Sequence, residues 1–340
     1  MQTVVEYLCS PACLPRNPGT DGGLAARAYL KGRLEELGLE PAGEHGFEQA
    51  IPSVGAGNLL ARIPGRGDRY VLLAAHYDAC LEDNPGADDN AAAVAITLEV
   101  AARLREHNLE RSVIIALFDA EEPPYFLGPT MGSQWFVDHP TVPLEEIDMM
   151  ICLDLVGHAL GPAEGPSQVR ESVFVLGAEK STGTGELMAS LGDRAGIRPL
   201  RIDNYVVEPL SDYDAFMHAQ IPFLFYTVGR WEHYHMPTDT PEKLDYEKMA
   251  ALADHLTDCM VAMANRHDRP AFVADGFDDE TTIASLEGLL SALAHFSDHA
   301  QMALMVVSSL RTTLDADGGL SSRERATIRR LVEQVEMALS

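Results

Sequence analysis

Five short apolar runs, at residues 70–75, 112–118, 149–155, 172–176 and 221–226, are rich in β-forming residues and often flanked by turn residues. They alternate with helical stretches such as 22–37 and 91–106, and that alternation dictates an α/β fold with helices on the faces of a sheet. In open sheets of this class ligands gather at the carboxyl ends of the strands. The polar residues that follow each run are therefore where a site is to be sought.

Further along the chain the pattern becomes helical. Thr240 and Pro241 fit an N-cap and a first helical position, and Tyr246, Met249, Ala253, Leu256, Met260 and Met263 recur at the spacing of a long core-facing helix. Residues 266–279 are polar, broken by Pro and Gly, and read as a linker. Beyond them Ile283, Leu286, Leu290, Leu293, Phe296 and Ala300 share one stripe, and Ile328, Leu331, Val335 and Leu339 share another. The expected organisation is a main domain over 1–268 and a C-terminal helical hairpin over 269–340. That hairpin could pack on the main domain, cover its site or join two copies as a homo-oligomer.

Composition narrows the partners. A chain of 340 residues, 46% hydrophobic, can bury a full core. Acidic residues outnumber basic ones 52 to 25, a net charge of −27, which argues against nucleic acid and against an anionic membrane surface. No stretch approaches the roughly 18 uninterrupted apolar residues of a membrane span. The start of the chain lacks a basic segment followed by an apolar one, so the expected location is cytoplasmic. Five cysteines at scattered positions suit reduced thiols better than a disulfide framework.

Five polar clusters stand at or near strand ends or in loops: HYD (76–78), GADDN (86–90), DAEE (119–122), LD (153–154) and HYH (233–235). Each alone is weak, because a histidine after a strand is more often a hydrogen-bonded structural residue than a ligand. Together they offer two imidazoles and three carboxylates, the inventory that a pair of zinc ions needs, with one carboxylate bridging. Two Zn²⁺ against Asp89, Glu122 and Asp154 leave a site positive enough to hold hydroxide. Adjacent carboxylates in Glu121-Glu122 can divide the work, one on metal and the other free as a general base.

These clusters, with PGADDNAAAVA (85–95), LFDAEEPPYF (117–126), MGS (131–133), CLDLVG (152–157), SDYDAF (211–216), IPF (221–223) and HYHMPTDTPEKLDY (233–246), agree in order and spacing with one family. Over about residues 15–265 the chain resembles the co-catalytic zinc aminopeptidases related to bacterial leucyl aminopeptidase and glutamate carboxypeptidase II, to which animal-type glutaminyl cyclases are also related. The resemblance implies a mixed, mostly parallel central sheet and two Zn²⁺ per chain. Asp89 would bridge, with His76 and Asp154 on one zinc and Glu122 and His235 on the other. Glu121 would be the base and Asp78 the carboxylate that orients His76. A cis peptide is implied at Asp89-Asn90. Tyr234 matches a tyrosine that stabilises the tetrahedral oxyanion, although an aromatic packed beside the metal is an equal reading. Arg230 reads as a surface arginine rather than a carboxylate clamp. Tyr213 departs from the family pattern, where a histidine is common, and leaves the shape of the substrate pocket open.

The expected activity is removal of the N-terminal residue of a peptide, or cleavage of an amino-acid conjugate, by a bridging zinc-hydroxide with Glu121 as general base. Two alternatives stand beside it: a single-zinc glutaminyl cyclase using Asp89, Glu122 and His235, and a non-catalytic relative that uses the fold for binding. The C-terminal helices lie outside the resemblance.

Overall fold

The computed structural model describes residues 1–316 and 318–339, with side chains to residue 335, so the place of Leu339 on its stripe lies outside the described side chains. Among these residues nine strands form one sheet. They are β1 (Glu40–Pro41), β2 (Glu48–Ile51), β3 (Ala56–Ile63), β4 (Tyr70–His76) and β5 (Ser112–Phe118), then β6 (Ile147–Leu153), β7 (Ser172–Leu176), β8 (Arg198–Arg201) and β9 (Phe223–Thr227). Their order is β1-β3-β5-β4-β6-β9-β7-β8, with β2 also paired to β3. The four central strands β5, β4, β6 and β9 run parallel, whereas β3 on β5 and β7 on β9 are antiparallel.

Parallel strands covered on both faces carry continuous apolar runs. Accordingly β5 and β6 are buried at every residue. All five expected runs are strands. The four strands without such a run are short or polar edge segments and one, β3, whose apolar run is interrupted by Asn58 and Arg62.

Helices α1 (Asp21–Glu36), α2 (Ala92–Leu104) and α3 (Tyr246–Asn265) lie close to their expected spans, with one difference. Thr240 and Pro241 begin only a short 3₁₀ turn, and α3 starts at Tyr246, where the Asp245 side chain accepts from the backbone N–H of Lys248. A carboxylate cap satisfies an orphan amide that Thr240 does not reach. The five cysteines are free. No helix among the described residues is long and apolar enough to cross a membrane.

The C-terminal helices are present, but the first expected stripe is split. Helix α4 (Asp279–Leu293) ends before Phe296, which is 53% exposed, and Ser297 caps a separate α5 (Asp298–Arg311) ahead of α6 (Ser322–Leu339). A serine that offers its hydroxyl to the amide three residues on stops one helix and starts another, a change that apolar spacing does not register. Segment 266–279 is also strapped down. Thr182 N–H donates to Ala271 O, Val273 N–H to Lys180 O, and the Lys180 ammonium to the carbonyls of Ala274 and Gly276.

Leu286, Leu290 and Ile328 belong to the same buried cluster as the sheet residues. The Arg325 guanidinium donates to the buried Asp279 carboxylate at 2.6 Å, and Arg329 donates to Tyr205 O at 2.8 Å and to Glu208 at 2.6 Å.

One buried group of α3 adds to the acid sensitivity of this core. His255 is 1% exposed, its Nε2 lies 3.2 Å from the Tyr226 hydroxyl, and burial depresses its pKa to about 4, with Arg194 adding to the shift. Below its ordinary pKa the unfolded chain binds the proton first, so stability falls as pH drops from about 6.5 towards 4. His255→Phe is expected to recover on the order of 2–3 kcal/mol at pH 4.5 relative to pH 7.5 in urea titrations. An acid limb identical to that of the parent would contradict this assignment.

Candidate active site

The parallel arrangement brings three strand ends together. His76 closes β4, Asp154 follows β6 directly, and Glu121 and Glu122 lie just past β5. Asp89 sits in the tight turn Ala87–Ala91 that opens into α2, and His235 sits in the loop after β9. Gly86 makes the first turn possible: its φ is +58°, and a Cβ there would stand 2.3 Å from Asp89 O. The peptide Asp89-Asn90 is cis, as the resemblance implied. Ala120, Leu155 and His235 have φ of 57°, 54° and 56°, left-handed values that ordinary residues avoid and that cluster at functional sites.

The two oxygens of Asp89 face different imidazoles. Oδ1 lies 3.3 Å from His76 Nε2 and Oδ2 lies 3.1 Å from His235 Nε2. Each imidazole has a further carboxylate beside it: Asp154 Oδ1 is 3.6 Å from His76 Nε2, and Glu122 Oε2 is 3.2 Å from His235 Nε2. Glu121 Oε2 stands 3.8 Å from His76 Nε2, apart from the His235 side. Asp78 brings its Oδ1 to 3.3 Å from His76 Nδ1, and its two oxygens accept from the backbone N–H groups of Glu121 and Glu122 at 3.2 and 3.1 Å. All eight residues singled out from the sequence thus meet in one place, because Tyr234 also lines this cleft and stacks on the His235 ring at 3.8 Å.

The chemistry of this set fits a divalent cation. His76 Nε2, Glu122 Oε1 and Asp154 Oδ1 are buried without a hydrogen-bond partner, a costly condition that coordination would relieve. Donor atoms of His76, Asp89 and Glu122 lie within 4.8 Å of one another. Charge points the same way. Burial pushes the Glu121 carboxyl well up and the Glu122 carboxyl up to about 8, with Asp89 adding to the latter. Burial acts against the charged form of His235, yet Asp89 and Glu122 raise it to about 10. The carboxylates around His235 thus favour positive charge among them, which a divalent cation would supply.

Several residues that carry no metal-ligand signature shape this centre. Asp88 accepts from the backbone N–H of Gly157 and His158 and pairs with His158 Nδ1 at 2.6 Å, and the His158 ring stacks on Trp231 at 4.5 Å, four residues before His235. The Asp239 carboxylate accepts from the backbone N–H of both Asp88 and Asp89. Burial raises the carboxyl of the fully buried Asp212 to about 7, against the pull of His76. Asp239 and Asp212 fall inside the matching segments HYHMPTDTPEKLDY and SDYDAF, but nothing in the residue types separates them from neighbouring acids. Tyr213 does not line the cleft. It is buried between Phe223 and Phe225, with ring centroids 5.0 and 4.7 Å away, and Phe225 supplies the cleft wall. The exposed Arg230 also borders the cleft.

Asp78 tests whether the site is held as a unit. Asp78→Ala frees both the His76 ring and the Glu121-Glu122 backbone, and is expected to weaken zinc affinity about 10- to 100-fold in competition with a chromogenic chelator. Unchanged affinity would mean that His76 is oriented by packing alone.

A donor set of two imidazoles and three carboxylates, gathered at the carboxyl ends of parallel strands with a further carboxylate beside it, is that of a zinc-dependent hydrolase. The chain belongs to peptidase family M28, whose profile matches residues 58–260. It is 26% identical over 237 residues to the uncharacterized protein YfbL of Escherichia coli, covering 61% of this chain and 71% of that protein. It is 25% identical over 208 residues to aminopeptidase YwaD of Bacillus subtilis, covering 59% of this chain and 42% of that protein. Glutaminyl-peptide cyclotransferase of Drosophila melanogaster is 28% identical over 163 residues, 42% of this chain and 45% of that protein. Among solved structures, the LapA aminopeptidase of Legionella pneumophila superposes with a TM-score of 0.64 at 17% identity, over 79% of this chain and 73% of that one. That likeness is one of fold.

Proposed function

We propose that the chain is a two-zinc aminopeptidase. The reading rests on one observation above the others: Asp89 directs one oxygen to each of two imidazoles, and each imidazole has its own additional carboxylate. His76 and Asp154 would hold one ion, Glu122 and His235 the other, and Asp89 both. When bound, zinc supplies Lewis acidity towards a carbonyl oxygen and acidifies water.

The chain's own groups do the rest. Glu121, buried and outside the ligand set, takes the proton of the attacking water and passes it to the leaving amine. Its backbone is fixed by Asp78, so the carboxylate is held in place before substrate arrives. The Tyr234 hydroxyl, pushed well above its ordinary pKa by burial, stays protonated and can donate to the developing oxyanion. Pro123, Phe126, Leu155 and Phe225 line the cleft, about 230 Å³ in volume, and give it apolar walls beside the donor set.

Aminoacyl p-nitroanilides, each offered with a free and with an acetylated amino terminus, test this reading. Cleavage confined to the free-amine series, abolished by chelator and restored by zinc, is the expected result. Equal cleavage of the acetylated series would refute an aminopeptidase. Conversion of N-terminal glutamine peptides to the cyclised product without hydrolysis would favour the second reading, which the cyclotransferase relative supports.

A further inference from the structure

Behind the cleft lies a second cavity, of about 90 Å³, that the proposed chemistry does not use. Leu160, Phe174 and Ile202 line it from the main domain, and Leu286 and Leu290 of α4 and Val332 of α6 line it from the C-terminal helices. Leu210, Thr227, Gly229 and Arg230 line both spaces, so the cleft and this cavity share a wall. Helices α4 and α6 lie outside residues 58–260, the segment that matches the family.

Resting on the aminopeptidase reading, we propose that this cavity receives the far end of a long, unbranched aliphatic side chain on the N-terminal residue of the substrate, and that the C-terminal helices exist in part to build it. Three observations select that occupant. The deep wall is aliphatic and aromatic, and a dry apolar cavity takes apolar groups. Cavities of about 150 Å³ accept benzene, so a smaller one suits a tail of about four carbons rather than a ring. Finally, Leu210, Thr227, Gly229 and Arg230 border both spaces, so the cavity adjoins the cleft and only a side chain long enough to pass Leu210 and Thr227 would reach it.

The wall is also held before binding. Arg329 of α6 donates to Tyr205 O and pairs with Glu208, which fixes the loop that delivers Leu210 to both spaces. A preformed pocket costs little ordering when it is filled.

The test is a chain-length series of p-nitroanilides: alanine, norvaline, norleucine and 2-aminooctanoic acid. For the zinc-loaded full chain, kcat/KM is expected to rise by about fourfold per methylene that enters the cavity. Val332→Phe fills the space and should lower the ratio of 2-aminooctanoyl to alanyl turnover by about tenfold or more, whereas Val332→Ala should move the best chain length upward by at least one carbon. Octylamine binding, followed by saturation-transfer NMR, gives a readout that needs no hydrolysis. It should be weakened about tenfold in Val332→Phe. A ratio that neither variant alters, or octylamine bound equally by parent and Val332→Phe, makes the cavity a packing gap and overturns the proposal. If no anilide is cleaved but octylamine binding responds to Val332→Phe, the pocket stands and the aminopeptidase reading falls.

Discussion

Glu121→Gln should lower kcat by about 10²–10⁴ while leaving the zinc content of the chain unchanged. The amide keeps the shape and the buried position of the carboxylate, which is 4% exposed, but cannot accept the proton of the attacking water. Because Asp78 holds residue 121 through its backbone N–H, the substitution should not disturb the proposed ligand Glu122 beside it. Turnover of the best anilide, measured together with zinc by atomic absorption, separates the two effects. Parental turnover with full zinc would remove Glu121 from the mechanism, and loss of zinc would make it a ligand instead.

The second large effect belongs to Asp89. Its carboxylate is the one group placed against both imidazoles, so Asp89→Ala should reduce bound zinc from about two ions per chain to fewer than one and lower hydrolysis by about 10³ or more. Stability offers an independent readout. Zinc at a hundred times its Kd should stabilise the parent by about 2.7 kcal/mol for each site filled, visible as a rise in Tm, and the variant should lose most of that response. A parent that binds only one zinc per chain would shift the balance towards the cyclase-like arrangement of Asp89, Glu122 and His235, with His76 and Asp154 as structural neighbours. Retention of two ions by Asp89→Ala would show that the carboxylate does not bridge.

Much of this centre is legible in the sequence because its parts are local. Each candidate ligand follows an apolar run or sits in a turn, and the parallel sheet then carries the strand ends to one edge. His76, Asp154 and the Glu121-Glu122 pair are placed by that rule alone. The strands of the central sheet are equally legible, since burial on both faces leaves uninterrupted apolar runs in β5 and β6. Helix ends are less so. Asp245 and Ser297 start helices through single hydrogen bonds, and at Ser297 the apolar periodicity runs on across the break.

The α/β class and the clustered imidazoles and carboxylates follow from residue type, strand-end position and periodicity, which act over a few residues, whereas the metal-ligand and base roles proposed for them rest on the family resemblance. Tertiary structure alone decided which oxygen of Asp89 meets which histidine, because that depends on groups far apart in the chain. Asp239 anchors Asp88 from 151 residues away, and Asp88 in turn holds His158 from 70 away. The cavity behind the cleft is of the same kind: Leu286, Leu290 and Val332 read only as helix stripes until the fold sets them against Leu210 and Phe174. Packing between distant segments makes that surface, and no local pattern encodes it.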